Sequence, residues 1–272
     1  MTTVGTARGG LLAPFVAGCT VGVLGGLIGL GGAEFRLPLL IGAFGFVALE
    51  AVIMNKAMSL VVVLTALPAR LIAVPLGDVA SHWTVIANLL IGSLVGAWLG
   101  ATWAIRMRTA ILYRTLAVLL VLISLVLLAN EFGTVPTPDL SDGVRFILGI
   151  AAGTLIGMVA AVMGVAGGEL LIPTIILLWG LDARLAGSLS VAVSLPTMLV
   201  AFARYSQDQS FAVLRRHVGF VVSMAVGSVV GTLVGGLLLG VVSTEVLVPL
   251  LAVLLLWSAY RVDQHATHSA DA

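Results

Sequence analysis

Two stretches of this chain interrupt an apolar run in the same way. Gly29-Leu30-Gly31-Gly32-Ala33-Glu34-Phe35-Arg36-Leu37-Pro38 returns 135 residues later as Gly164-Val165-Ala166-Gly167-Gly168-Glu169-Leu170-Leu171-Ile172-Pro173, with Gly, Gly, Glu and Pro in register. Glycines, a lone acid and a proline inside a hydrophobic run forbid a smooth helix through it. Without a gap, the same displacement pairs Gly22 with Gly157, Ser59 with Ser194, His82 with His217, Gly92-Ser93 with Gly227-Ser228 and Gly100 with Gly235. It also pairs Leu116-Ala117-Val118-Leu119-Leu120 with Leu251-Ala252-Val253-Leu254-Leu255. The chain reads as one unit built twice, and a duplicated unit with broken helices is a recurring plan of secondary transporters.

The unit belongs in a bilayer. Of 272 residues, 60% are hydrophobic and 9% charged, whereas soluble domains carry about 25% charged residues. A net charge of +1, with no basic run longer than Arg215-Arg216, gives nucleic acid nothing to bind. Cys19 is the single cysteine, which removes an intrachain disulfide and any CxxC metal or redox site. The apolar run from Leu11 to Leu30 behind Arg8 has the look of a signal peptide, but its copy at 146–165 is internal, so the run is read as mature protein.

The expected class is an all-α polytopic membrane protein of two inverted repeats, each a glycine-broken re-entrant helical hairpin plus three transmembrane helices. A crossing needs about 20 apolar residues at ~1.5 Å each. The arms on either side of the first break are shorter than that. The division is a lead over 1–10, repeat one over 11–130, an external linker over 131–143, repeat two over 144–260 and a tail over 261–272. Full spans are expected at Ala51–Val74, Trp83–Ile105, Ala110–Ala129, Ala186–Ala203, His217–Gly240 and Val246–Tyr260, and the second hairpin at Phe146–Leu181. Arg106, Arg108, Arg114, Arg204, Arg215 and Arg216 mark cytoplasmic loops. That puts both termini in the cytoplasm and the linker with Glu131, Asp139 and Asp142 outside. Three net crossings per repeat invert one repeat against the other, so one hairpin enters from each face.

Glu34 and Glu169 are the residues most costly to place in such a core, since an intramembrane acid normally faces a functional path. They are expected to carry coupling protons; the alternative is that each caps the first turn of its short helix. Arg36 holds a charge beside Glu34, while Glu169 is followed by Leu170, Leu171 and Ile172, so Glu169 is the expected proton carrier. Gly31, Gly32, Gly167 and Gly168 can take positive φ and present backbone N–H groups to an anion at a helix start. Asn55 with Ser59, and Ser190 with Ser194, lie four apart and form two matching polar stripes. These stripes either bind an oxyanion or join helices. Arg36 has no counterpart in repeat two and is a further anion candidate, whereas Lys56, the only lysine, is expected to snorkel to the interface. His82, His217, Arg70 and Arg204 read as interface anchors. No strand precedes the glycines and no Lys-Ser/Thr follows them, so nucleotide-loop readings fail.

The paired motifs, Gly29-Leu30-Gly31-Gly32 and Gly164-Val165-Ala166-Gly167-Gly168, followed by Leu37-Pro38 and Ile172-Pro173, resemble the signature of the TauE/SafE family of sulfite and sulfonate exporters. The resemblance covers essentially the whole core. It implies transport of a small sulfur-containing anion, such as sulfite, sulfoacetate or another organosulfonate, across a bacterial inner membrane, without enzyme chemistry or a cofactor. The expected partners are the anion, protons and the lipid bilayer, with a homodimer left open. A passive anion channel of the same fold is the alternative; a membrane-embedded assembly subunit would account for the hydropathy but not for the repeated acids.

Overall fold

The computed structural model describes residues 10–28, 32–73, 76–132, 140–238 and 244–270. Within them the regular structure is helical: α1 Leu12–Ile28, α2 Ala33–Gly42, α3 Ala48–Ala73, α4 Leu76–Ser81, α5 Trp83–Arg106 and α6 Thr109–Phe132, then α7 Asp142–Met163, α8 Gly168–Trp179, α9 Ala183–Tyr205, α10 Val213–Arg216, α11 Val218–Leu237 and α12 Thr244–Ala270, with a 3₁₀ turn at Gln209–Ala212 before α10. The starts of α2, α3, α5 and α6 recur 135 residues later as the starts of α8, α9, α11 and α12. The duplication seen in the sequence is therefore a duplication of elements.

Among the described residues six helices, within α3, α5, α6, α7, α9 and α11, are long and apolar enough to cross a membrane, while α1 and α8 are shorter apolar helices. The fold is that of an all-α multi-pass membrane protein. Most expected spans move by up to three residues, α12 runs on to Ala270 rather than ending at Tyr260, and the second hairpin changes at its start. The second hairpin opens at Asp142 rather than Phe146, and α7 is 22 residues long, about 33 Å at 1.5 Å per residue. It is thus of crossing length, not a short arm. The added turn is polar and exposed, with Arg145 paired to Asp142 at 3.4 Å.

Small residues decide which helices meet, because lipid supplies no hydrophobic drive for one helix to seek another. Gly18, Gly22 and Gly26 of α1 lie against the backbone carbonyls of Met224, Ser228 and Thr232 of α11, and Gly227, Gly231 and Gly235 of α11 lie against those of Phe15, Cys19 and Val23. A β-carbon at any of them would collide with the partner backbone. The same seam recurs between α7 and α5, where Gly153 and Gly157 meet Leu89 and Ser93, and Gly92, Gly96 and Gly100 meet Ile150, Thr154 and Met158. Each α5–α7 contact maps onto an α1–α11 contact by the 135-residue displacement with the repeats exchanged, and the α1–α11 seam adds Gly26, whose counterpart is Ala161.

In both seams contact positions rise together along the chain, so α1 runs parallel to α11 and α5 to α7. Ser93 bonded to Thr197 at 2.7 Å and Thr102 bonded by Arg204 at 2.8 Å make α9 parallel to α5 as well. Outside the seams large apolar side chains stand exposed, among them Leu12 at 68%, Trp83 at 65% and Leu237 at 85%. That surface suits acyl chains, not water.

Candidate functional site

At both breaks the backbone does what the glycines permit. Gly32 at φ 72°, ψ 17° precedes α2, and Gly167 at φ 85°, ψ 8° precedes α8. Positive φ costs an L-residue roughly 1–2 kcal/mol, and glycine avoids that cost. The Gly32 carbonyl accepts from the backbone N–H groups of Phe35 and Arg36, each at 3.2 Å, and the Gly167 carbonyl from those of Leu170 at 3.2 Å and Leu171 at 3.0 Å. Neither helix start has a side-chain cap from its N-cap residue. Gly168 is the first helical residue of α8 and has no positive φ. Gly31 lies outside the described residues, as do 1–9 of the lead and 133–139 of the linker.

The two helix starts bring their acids together. Glu34 and Glu169, both buried, interact directly with one another. Glu34 also accepts from its own backbone N–H, so the capping role fits it in part. Neither carboxyl oxygen of Glu169, nor Oε1 of Glu34, meets a hydrogen-bond donor among the described residues. Arg36 and Lys56 are equally buried, and each faces one acid: Arg36 acts electrostatically on Glu34, Lys56 on Glu169.

The stripe on α3 is more occupied than its sequence suggests. Asn55 Nδ2 donates to the carbonyls of Ala33 at 3.0 Å and Met163 at 3.1 Å, and Ser59 Oγ donates to that of Gly164 at 3.3 Å. Arg36 Nη1 donates to Asn55 Oδ1 at 3.5 Å and Ser59 Oγ at 3.4 Å. Lys56 does not snorkel to the interface. Its Nζ donates to the carbonyls of Ala160 at 2.8 Å, in the last turn of α7, and Val165 at 2.6 Å, just beyond that helix, where the negative pole of the helix favours an ammonium. The stripe on α9 is sparser: Ser190 Oγ donates locally to the Gly187 carbonyl at 2.8 Å, and Ser194 is buried. Ser190 Oγ is also the nearest atom, at 3.9 Å, to the position a β-carbon would take on Gly168.

The structure thus gathers Glu34, Arg36, Asn55, Ser59 and Glu169 around the two helix starts, and adds Lys56 and Tyr205, whose hydroxyl donates to the Ala161 carbonyl at 3.0 Å. The signal that betrays Lys56 is position: a lone lysine between Asn55 and Ser59 shares a short stretch of α3 with both. The ranking of Glu169 over Glu34 as proton carrier used chain neighbours alone. It omitted Lys56, which approaches Glu169 from another helix.

A family model described as "Sulfite exporter TauE/SafE" matches residues 13–262, nearly the whole chain. The chain belongs to the TauE/SafE sulfite exporter family. No curated protein and no solved structure gives a significant match. Members of the TauE/SafE family are membrane transporters and not enzymes, and the matched span contains both glycine breaks and the buried charges Glu34, Arg36, Lys56 and Glu169. The buried centre therefore lies within the part of the chain that defines a TauE/SafE transporter.

Proposed function

We propose that this protein is a secondary transporter that moves sulfite, sulfoacetate or another organosulfonate across the bacterial inner membrane, with Glu34 and Glu169 carrying the coupling proton. The observation that carries the reading is the meeting of two uncapped helix starts at a buried acid pair flanked by Arg36 and Lys56. Helix starts present N–H groups and positive poles to an anion. Arg36, held by Asn55 and Ser59, adds one fixed cation beside them. Ser190 and Ser194 would face the anion from repeat two, with Gly32, Gly167 and Gly168 at the starts themselves.

The repeats, taken as 11–130 and 144–260, are inverted in this reading. Parallel α5, α7 and α9 support it, because α9 and α11 are joined by a short connection and so cross in opposite senses, which sets α11 against its counterpart α5. Asn55 and Ser59 lie about 10 and 16 Å along α3 from Ala48 at 1.5 Å per residue, so the hairpin tips meet near the bilayer midplane.

Counterflow tests the transport reading. Vesicles containing the purified protein and loaded with unlabelled sulfite should transiently concentrate labelled sulfite from outside, a property of carriers that channels lack. Downhill flux without counterflow would make it a channel, and no movement of sulfite, sulfoacetate, taurine or thiosulfate would sink the assignment.

A further inference from the structure

The buried charges constrain what must move together. Among the described residues the charged side chains in the buried interior are Glu34, Arg36, Lys56 and Glu169, and the buried Tyr205 hydroxyl bonds the Ala161 carbonyl, next in the chain to the Ala160 carbonyl that Lys56 holds. Lys56 is counted as an ammonium, the form that two short bonds to carbonyls near the end of α7 suit best. Arg36 is a guanidinium held by Asn55 and Ser59. With both acids ionised, the centre sums to zero.

That sum leaves two carboxylates facing each other in an apolar bundle, three of their oxygens without a donor. One proton between them removes the repulsion, as in other carboxyl pairs that cannot both ionise. The centre then carries one positive charge, which is costly inside a bilayer. A singly charged anion at the helix starts cancels it. An anion alone would leave −1 and a proton alone +1; the empty centre, and the centre holding one proton and one monoanion, are both neutral.

Resting on the transport reading above, we propose that the Glu34–Glu169 pair binds one proton for each singly charged oxyanion, a hydrogen sulfite or a monosulfonate, and that the two cross in the same direction as an electroneutral unit. The proton comes from water on the loading side, resides on a carboxyl oxygen of the pair and returns to water on the other side with the anion. Both pseudo-symmetric hairpins supply the proton site, whereas repeat one alone supplies both cations. The choice of a monoanion follows from that charge count.

Methanesulfonate is the probe, because it is singly charged at any accessible pH. In vesicles containing the protein, with the potential clamped by potassium and valinomycin, labelled methanesulfonate and internal pH are followed together. The expected result is one proton per anion in the same direction, with a final accumulation ratio independent of potential. An uncompensated charge would change that ratio roughly fiftyfold for about 100 mV. Potential-dependent accumulation, opposite movement of protons, or preference for sulfate over methanesulfonate overturns the proposal. Glu169→Gln should make flux potential-dependent and free of proton movement, and Glu34→Gln should do the same if the first variant does not fold; persistence of one-to-one proton movement in either folded variant excludes the pair. A folded protein that moves neither methanesulfonate nor sulfite would instead remove the transport reading.

Discussion

At Gly32 and Gly168, equivalent roles in the sequence become different tests in the structure. A β-carbon on Gly32 meets the Val21 carbonyl and demands a strained φ of 72°, so Gly32→Ala damages the fold before it reports on a ligand. Gly168 has open space, with Ser190 Oγ at 3.9 Å as its nearest neighbour. Gly168→Ala should keep the melting temperature of the wild type yet weaken sulfite binding about tenfold, the equivalent of ~1.4 kcal/mol. An unchanged isotherm would move the anion away from the start of α8. Lys56 is the opposite case. Lys56→Met removes a donor from the Ala160 and Val165 carbonyls; the Ala160 carbonyl keeps the Val165 N–H at 3.0 Å, so the expected cost of about 1–3 kcal/mol falls on the Val165 carbonyl. Unfolding measurements in detergent should place Lys56→Arg between the wild type and Lys56→Met, since it retains charge but changes geometry; a Lys56→Met protein as stable as the wild type would show that the lysine does not hold the hairpin.

Helix pairing depends on which face of a helix carries its glycine. Gly235 and Gly236 are adjacent on α11, but a β-carbon on Gly235 runs into the Val23 carbonyl of α1, while one on Gly236 meets nothing within 4 Å. Gly235→Val should therefore separate the α1–α11 seam, at a cost above the ~1–3 kcal/mol typical of overpacking because backbone cannot yield as a side chain can. Gly236→Val should remain monodisperse with near-native melting; similar behaviour of the two variants would mean that the seam is not needed for folding. Sequence made the elements legible because hydropathy and the 135-residue register act locally, and the helix starts recur in that register. It could not reveal that α1 pairs with α11 rather than with a helix of its own repeat, since glycine spacing on one helix does not name its partner. The same limit hid Lys56: its lone charge was visible, but the α7 carbonyls that hold it lie more than 100 residues away.

For the whole molecule, the parallel run of α5 and α9 puts their C-terminal ends, with Arg106 and Arg204, on one face. Arg216 reaches Glu50 near the start of α3 at 3.8 Å, which brings Arg215 and Arg216 to that same end, and Arg108 lies in the short connection between α5 and α6. The opposite face holds the starts of α5 and α7, with His82, Asp142 and Arg145. The arginines that suggested cytoplasmic loops one at a time in the sequence thus gather at one end of the folded chain, and short loops rich in arginine are retained in the cytoplasm. In a Cys19→Ala background, a cysteine at exposed Ser141 should react with an impermeant thiol reagent added to intact cells, and one at exposed Gln207 should react only after the cells are opened. The two sites must behave oppositely, because the α7–α8 hairpin returns the chain to the face on which α7 begins and the single crossing of α9 carries it to the other. Labelling of Gln207→Cys from outside, with Ser141→Cys protected, would turn the molecule over in the membrane and leave the centre intact. Labelling of both from the same side would overturn the proposed inverted arrangement, in which Glu34 and Glu169 come from opposite faces of the bilayer.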